Sequence, residues 1–396
     1  MAVLVGLLLV SGGAIAAAAL DPPDHPSVSP VSSAASSRSA TSAPSPSQTA
    51  PPQAPSTPVA TGARAATRGP VNVYAAPASG VFSRAVAGIP QRVYVPNVSS
   101  GTISVIDPKT YQVIKTLQVG GRPHHITPSW DLKHLYIDNP GSGSLREIDP
   151  RTAALGPTIA ARTPYNLYFT PDGTKAIVVA EYAQQLVFRD RRTWRVLKVV
   201  PIPGRGVDHM DFSANGRYLL VSCEYTGVVA RVSTISMRVT GTLNVGGRPI
   251  DVKVSPDGKV FYVANQGTMG VSIIDPIHMK QIKFLPTSLG AHGVAVSRDA
   301  RYLYLSNRIA GTISVISFRS RSVVDRWNVG GSPDMLQVSP DGSHLWASNR
   351  FGNTVSVIST RTGGVLHRIV VGQQPHGLAY FPQPGRYSVG HNGVYR

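Results

Sequence analysis

The sequence contains a single cysteine, Cys223, in 396 residues, which excludes an intramolecular disulfide framework and any four-thiolate zinc site. Charged residues amount to only 15%, and the acidic ones are scarcer, with Asp+Glu 20 against Lys+Arg 38 for a formal net charge of +18. Lysine is sparse as well, because 29 of those 38 cations are arginine. No C-x-x-C-H motif is present, so c-type haem has no covalent attachment point. The H-E-x-x-H and G-x-S-x-G motifs and the phosphate-cradling glycine loops are also missing. Against these absences stand 38 Gly and 33 Pro. Both residues punctuate helices, which argues against a helical bundle and leaves a turn-rich, mostly β chain.

The chain divides into three parts. Residues 1–20 form an apolar run that ends in small residues, with an A-x-A-like site near Ala17 to Ala19. That pattern predicts a signal peptide over residues 1–19, or a retained membrane anchor, and hence export: secretion, or retention at the cell wall or the outer face of the membrane. No Lys or Arg precedes the apolar run, which is a departure from the signal-peptide pattern. Residues 20–90 are expected to be a disordered stalk, with 71–90 transitional. Up to about Pro70 they are almost wholly Pro, Ser, Thr and Ala, which bury too little apolar surface to offset chain entropy. Residues up to 90 carry four Arg and two Asp, so +16 of the net charge falls on residues 91–396.

Residues 91–396 repeat. Turns of the Ser-Pro-Asp-Gly type recur at Ser129, Thr170, Ser213, Ser255, Ser297, Ser339 and, more distantly, Phe381, at spacings of 41 to 43. A period near 42, with four short β-branched or aromatic strands and Gly/Pro turns in each unit, is the signature of propeller blades. The first strand of this region, Arg92–Asn97, is of the second-in-repeat type, and the last, 377–380, is of the first-in-repeat type. Pairing the two completes one blade from both ends. The expectation is an all-β, seven-bladed β-propeller of four-stranded antiparallel blades.

The second strands VYVPN, LYIDN, FYVAN, LYLSN and LWASN, followed by TISVID, TISVIS and TVSVIS, resemble the YVTN-repeat family of exported bacterial β-propellers. The resemblance covers all of 91–396 and implies the fold. It leaves function open, because the family includes binding proteins, surface-layer-type proteins and relatives of haem- and copper-carrying propellers. The third and fourth repeats depart from the pattern, with Glu181 and Glu224 read at the Asn position, each followed by tyrosine.

Propeller topology places the loops that lead into the first strands on one face, with the loops that join second to third strands. After the leading Pro position the blades carry His124, Tyr165, Asp208, Ile250, His292, Asp334 and His376. The next position carries His125, Asn166, His209, Asp251, Gly293, Met335 and Gly377. Asp208, Asp251, Asp334, Glu181, Glu224, Arg308 and Arg350 are therefore the candidate ligand-binding set. His125, His209, His292 and His376 are the candidate ligands of a transition metal ion. Strand alternation predicts that His124 and His125 face opposite ways. A wet channel mouth is polar in any propeller, which is the simpler account of the same residues.

Basic clusters at Arg189, Arg191, Arg192 and Arg195 and at Arg319 and Arg321 fall on the opposite face. For an exported chain without a stacked aromatic series they suit an anionic wall polymer or lipid head groups rather than nucleic acid. Two functional classes follow. One is a binding or scaffold propeller that holds a cell-envelope protein, glycan or polymer. The other is a metal-dependent or acid–base enzyme at the same rim, such as a lactone hydrolase, lyase or oxidoreductase. The lack of any complete catalytic signature favours the first.

Overall fold

The computed structural model describes residues 71–391 and 393–396. The signal peptide or anchor, and the stalk up to residue 70, lie outside the described residues. Seven four-stranded antiparallel sheets are arranged as blades. The blade that closes the ring joins Ala379–Phe381 to Arg92–Asn97, Thr102–Asp107 and Gln112–Gln118, with Val93 opposite Tyr380 and Arg92 opposite Phe381. The expected closure from both ends is therefore present. It removes an edge that would otherwise be open to pairing with another chain.

Burial falls outward along each blade. The second strands are buried along their whole length, as in Phe261–Asn265, or at all but the first position, as in Tyr302–Asn307, whereas a fourth strand such as Gln112–Gln118 is exposed at six of its seven positions. The second strands carry apolar runs such as AIVVA, YLLV and FYVA because each blade packs on a neighbour through both faces, whereas inner strands such as VDHMDF and PIDVKV mix apolar residues with the polar ones of the axis. Tyr168, Phe188, Phe212 and Val221, for example, share one core between the third and fourth blades.

The repeated motifs explain themselves locally. In the Ser-Pro-Asp-Gly turns the serine hydroxyl bonds the aspartate and accepts the amide that reopens the next strand: Ser255 Oγ donates to Asp257 Oδ1 (2.5 Å) and accepts from Val260 N (3.1 Å). Gly258 closes that turn at φ +70°, a conformation glycine adopts without penalty. The repeat asparagines hold the turn after the second strand. Asn307 Nδ2 donates to Thr312 Oγ1 and Ser314 Oγ, both at 3.0 Å and buried. Replacing Asn307 by Ala should cost about 2 kcal/mol in urea unfolding, since two buried hydrogen bonds are lost. A loss under ~0.5 kcal/mol would show that the turn is held by other contacts.

Residues 71–90, expected in the stalk, pack on the propeller instead. A short helix spans Ala75–Ala78, Tyr74 donates its hydroxyl to Val254 O (2.9 Å), and Val86 and Ile89 enter the core of the first two blades. The apolar residues Tyr74, Val86 and Ile89, absent from the preceding Pro/Ser/Thr run, are what dock it.

Residues 382–391 and 393–396 form a segment beyond the last strand that the repeat pattern does not anticipate. It runs into the axial channel from the Ser-Pro-Asp-Gly face. Val389 accepts from Phe169 N (2.9 Å), His391 N donates to Leu167 O (3.0 Å), and Arg396 Nη2 donates to Asp211 Oδ1 (2.7 Å). Arg396 also lies over the Tyr74 ring, with 4.5 Å from its guanidinium carbon to the ring centre.

Candidate functional site at the channel mouth

The rim is built by backbone pairing of the two predicted loop sets. Glu224 N donates to Gly206 O (2.7 Å), Gln266 N to Arg248 O (2.9 Å), Arg308 N to Gly290 O (2.7 Å) and Arg350 N to Ser332 O (3.1 Å). The leading loops and the second-to-third-strand loops thus share one face.

Strand register corrects one reading of the sequence. Asn97, Asn265, Asn307 and Asn349 stand opposite Thr102, Gly270, Thr312 and Thr354, and the equivalent residues in the third and fourth blades are Ala180 and Cys223, opposite Gln185 and Val228. Glu181 and Glu224 therefore do not occupy the Asn position. They sit one residue later, in register with Gln266, Arg308 and Arg350. Cys223 itself is fully buried, and burial pushes its thiol up to about 12, so it packs as a small apolar side chain.

A second feature decides where the candidate residues point. In the fourth to seventh blades the inner strand carries one extra residue, with register breaks at 207/210, 249/252, 291/294 and 333/336. Both candidate positions of each blade, such as Asp208 and His209 or Asp334 and Met335, lie in these β-bulges, which re-aim side chains. The bulge amides are met by second-strand serines: Ser222 Oγ accepts from His209 N (3.2 Å), Ser306 Oγ from Gly293 N (2.9 Å) and Ser348 Oγ from Met335 N (3.2 Å). Alternation also fails for His124 and His125. They precede the strand Ile126–Pro128, and both rings approach His376, with centres 5.6 and 4.7 Å away. The expectation that they face opposite ways is overturned, because both stand opposite the single residue Asp138, whose O accepts from His124 N (2.9 Å) and whose N donates to His125 O (3.0 Å), a bulge that breaks strand alternation.

The predicted residues separate into three groups. The first gathers on Asp334, which is fully buried. His376 Nδ1 lies 2.6 Å from its Oδ2, and His292 Nδ1 lies 3.1 Å and Arg308 Nη1 3.3 Å from its Oδ1, while Arg350 Nη1 stands 4.0 Å from Oδ2. Burial works to raise this carboxyl, but His292, His376 and Arg308 more than offset it and hold it well below the usual range. Arg308 also donates to Gln266 Oε1 (3.1 Å) and lies 5.5 Å over the Phe351 ring.

The second group is acidic. Glu181 Oε1 accepts the Tyr225 hydroxyl (3.1 Å), and Glu224 Oε1 lies 2.6 Å from Arg248 Nη2. Burial first, then repulsion from Asp208, raises Glu181 to about 8 and Glu224 to about 7.

The third group lies deeper, around His125 and His209, where His391 joins them. His209 Nδ1 rests on Asp208 Oδ1, and His391 Nε2 stands 3.5 Å from Asp251 Oδ2. Asp251 is not a rim residue. Its carboxylate binds Lys253 Nζ (3.1 Å) and accepts the Val294 amide of the next blade (2.9 Å).

The four predicted metal-ligating histidines accordingly do not form one set. His292 and His376 are engaged with Asp334, whereas His125 and His209 meet His391. Sequence reasoning missed His391 because it follows the last repeat, where no period assigns it a place. On the opposite face Arg191 is bonded to Asp131 (3.3 Å) and lies over Trp130, so part of that basic cluster serves the turn itself.

Fold and centre together define a closed seven-bladed propeller with a polar, partly filled axis. The sequence profile of the YNCE-like β-propeller family matches residues 71–384, and the chain belongs to that family. No curated protein matches the sequence significantly. Among solved structures it is similar to a protein of unknown function from Desulfotomaculum acetoxidans, with 16% identity, a TM-score of 0.64, and 74% of this chain and 99% of that one covered. It is also similar to the dihydro-heme d1 dehydrogenase NirN in complex with DHE (16%, TM-score 0.58, 76% and 77% covered). Kuenenia stuttgartiensis hydrazine synthase is a further likeness (19%, TM-score 0.55, 64% and 87% covered). At these identities the likeness concerns the fold.

Proposed function

We propose that the protein is an exported, envelope-associated binding propeller that takes, at its channel mouth, an envelope component bearing neighbouring anionic and cationic groups. One observation carries this reading. A single loop position supplies Glu181 and Glu224 to one side of the mouth and Arg308 and Arg350 to the other, and the next position adds exposed Tyr182, Tyr225, Ile309 and Phe351. Glu224, raised only to about 7, keeps part of its charge near neutral pH opposite the two guanidinium groups, and Glu181, at about 8, offers a protonated carboxyl; with exposed apolar side chains beside them these groups give orientation and contact area to one ligand. Export rests on the apolar residues 1–20 and the Pro/Ser/Thr run that follows.

The test is calorimetry with soluble fragments carrying an amine, a carboxylate or phosphate, or both. Fragments with both groups should bind. Arg308→Ala should weaken them about tenfold or more, and Phe351→Ala a few-fold. Equal binding of fragments that carry only one charge, or no binding at all, would remove the reading. A second reading rests on Glu181 and Glu224, which titrate at about 8 and about 7. Carboxyls poised near neutrality suit proton transfer. Turnover of a bound fragment, abolished by Glu181→Gln and Glu224→Gln, would favour an acid–base enzyme.

A further inference from the structure

The deep group of histidines is built like a metal centre. His125, His209 and His391 are all buried, and one nitrogen of each can be chosen so that the three lie within 4.8 Å of one another. Their ring centres are 5.1 Å (His125–His209), 4.4 Å (His209–His391) and 5.3 Å (His125–His391) apart. Nitrogens bound to a tetrahedral ion at about 2.1 Å are about 3.4 Å apart, so small ring rotations complete the approach. His209 Nε2 is buried and has no hydrogen-bond partner among the described residues. Its other nitrogen faces Asp208, and His391 faces Asp251, the carboxylate–histidine arrangement that orients imidazole ligands.

The third ligand is held in place by the segment that fills the channel. Gly390 lies against Leu167 O and Tyr168 Cα so closely that an added Cβ would stand 2.4 and 2.5 Å from them. This approach, with His391 N bonded to Leu167 O, holds the imidazole over the axis. With Nε2 toward Asp251, the ligating nitrogen is Nδ1, which now stands 3.0 Å from Asn166 Nδ2 and exchanges that amide for the ion on binding. The ring also stacks on Tyr168, with centres 5.7 Å apart.

We infer that His125, His209 and His391 bind one divalent first-row transition ion of borderline softness, such as Zn(II), Co(II) or Cu(II), inside the propeller axis. Imidazole nitrogen is the donor these ions share. The inference is independent of the ligand proposed for the mouth, which uses other residues.

The experiment is titration of the full chain, purified without an affinity tag and stripped with a chelator, with Co(II) followed by visible absorption and with Zn(II) by calorimetry. One ion per chain is expected, with an intense ligand-field band. His209→Ala and His391→Ala should each weaken binding at least 100-fold, and Asp208→Asn 10- to 100-fold. His292→Ala should change it less than about threefold. The inference is overturned if no ion binds, if His391→Ala binds as tightly as the parent, or if His292→Ala loses the ion equally. Should an alanine variant lose its far-ultraviolet dichroism, the Cu(II)-loaded parent decides. Pulsed electron paramagnetic resonance should count three coordinated imidazoles, and fewer would overturn the inference.

Discussion

Asp334→Asn should destabilise the propeller by about 3 kcal/mol or more in guanidinium unfolding. The carboxylate is fully buried and gathers His292, His376, Arg308 and Arg350 from the last blades of the ring. The amide keeps the shape and removes the charge, which leaves two guanidinium groups with only part of their compensation. Removing one partner of a buried ion pair typically costs about 3–5 kcal/mol, because the other charge stays behind in a poor solvent. The lower end applies here, since Arg308 and Arg350 side chains are 12% and 10% exposed and Arg308 keeps Gln266. The same change should disorganise the cationic half of the mouth and weaken any anion held there. A cost below 1 kcal/mol would show that desolvation of Asp334 already cancels its attractions.

Glu181→Gln should stabilise the protein at alkaline pH and leave it nearly unchanged at pH 5. Burial and the neighbouring Asp208 and Glu224 raise this carboxyl from an ordinary 4.5 to about 8. A carboxyl with a raised folded-state pKa binds more protons folded than unfolded between those two values. Its contribution is therefore complete below about pH 4.5, declines as pH rises, and is lost once pH has passed about 8. A tenfold difference in proton affinity between the folded and unfolded chain is worth about 1.4 kcal/mol, so the parent should lose, relative to the glutamine variant, about 2–5 kcal/mol between pH 5 and pH 9. Glutamine retains an oxygen to accept the Tyr225 hydroxyl, so the comparison isolates the charge. Melting curves of both proteins at several pH values provide the measurement. Parallel pH profiles would mean that Glu181 is solvated and titrates near its ordinary value.

The blade count and ring closure were legible because their causes are local. Six turns keep a hydroxyl residue followed two positions on by Asp or Asn, and five second strands end in Asn97, Asn139, Asn265, Asn307 and Asn349, so the period shows in single residues. The register error at Glu181 and Glu224 was avoidable. The asparagine lies ten residues after the turn serine in Ser255–Asn265, Ser297–Asn307 and Ser339–Asn349, and ten residues after Thr170 and Ser213 lie Ala180 and Cys223. Counting from the turn, rather than matching by polarity, places both glutamates correctly.

The bulges were not legible. The extra residue recurs in successive inner strands, so it leaves no break in the period, and it alters side-chain direction without altering composition. The division of the histidines between Asp334 and the axis depends on those bulges. His391 depends on a non-periodic segment whose course is set only by contacts with other blades. What could be read was which residues converge on the axis; which of them touch had to come from the backbone.

The clasp at 379–381 and the axial segment at 382–396 are consecutive. On the ribosome, therefore, both emerge after the other six blades. Until then Arg92–Asn97 waits with one strand edge bare, and the ring has neither closure nor filling. A nascent chain halted before residue 379 presents the kind of unpaired edge that chaperones and proteases recognise. A product interrupted there is exposed to degradation with its ring unclosed and its axis unfilled.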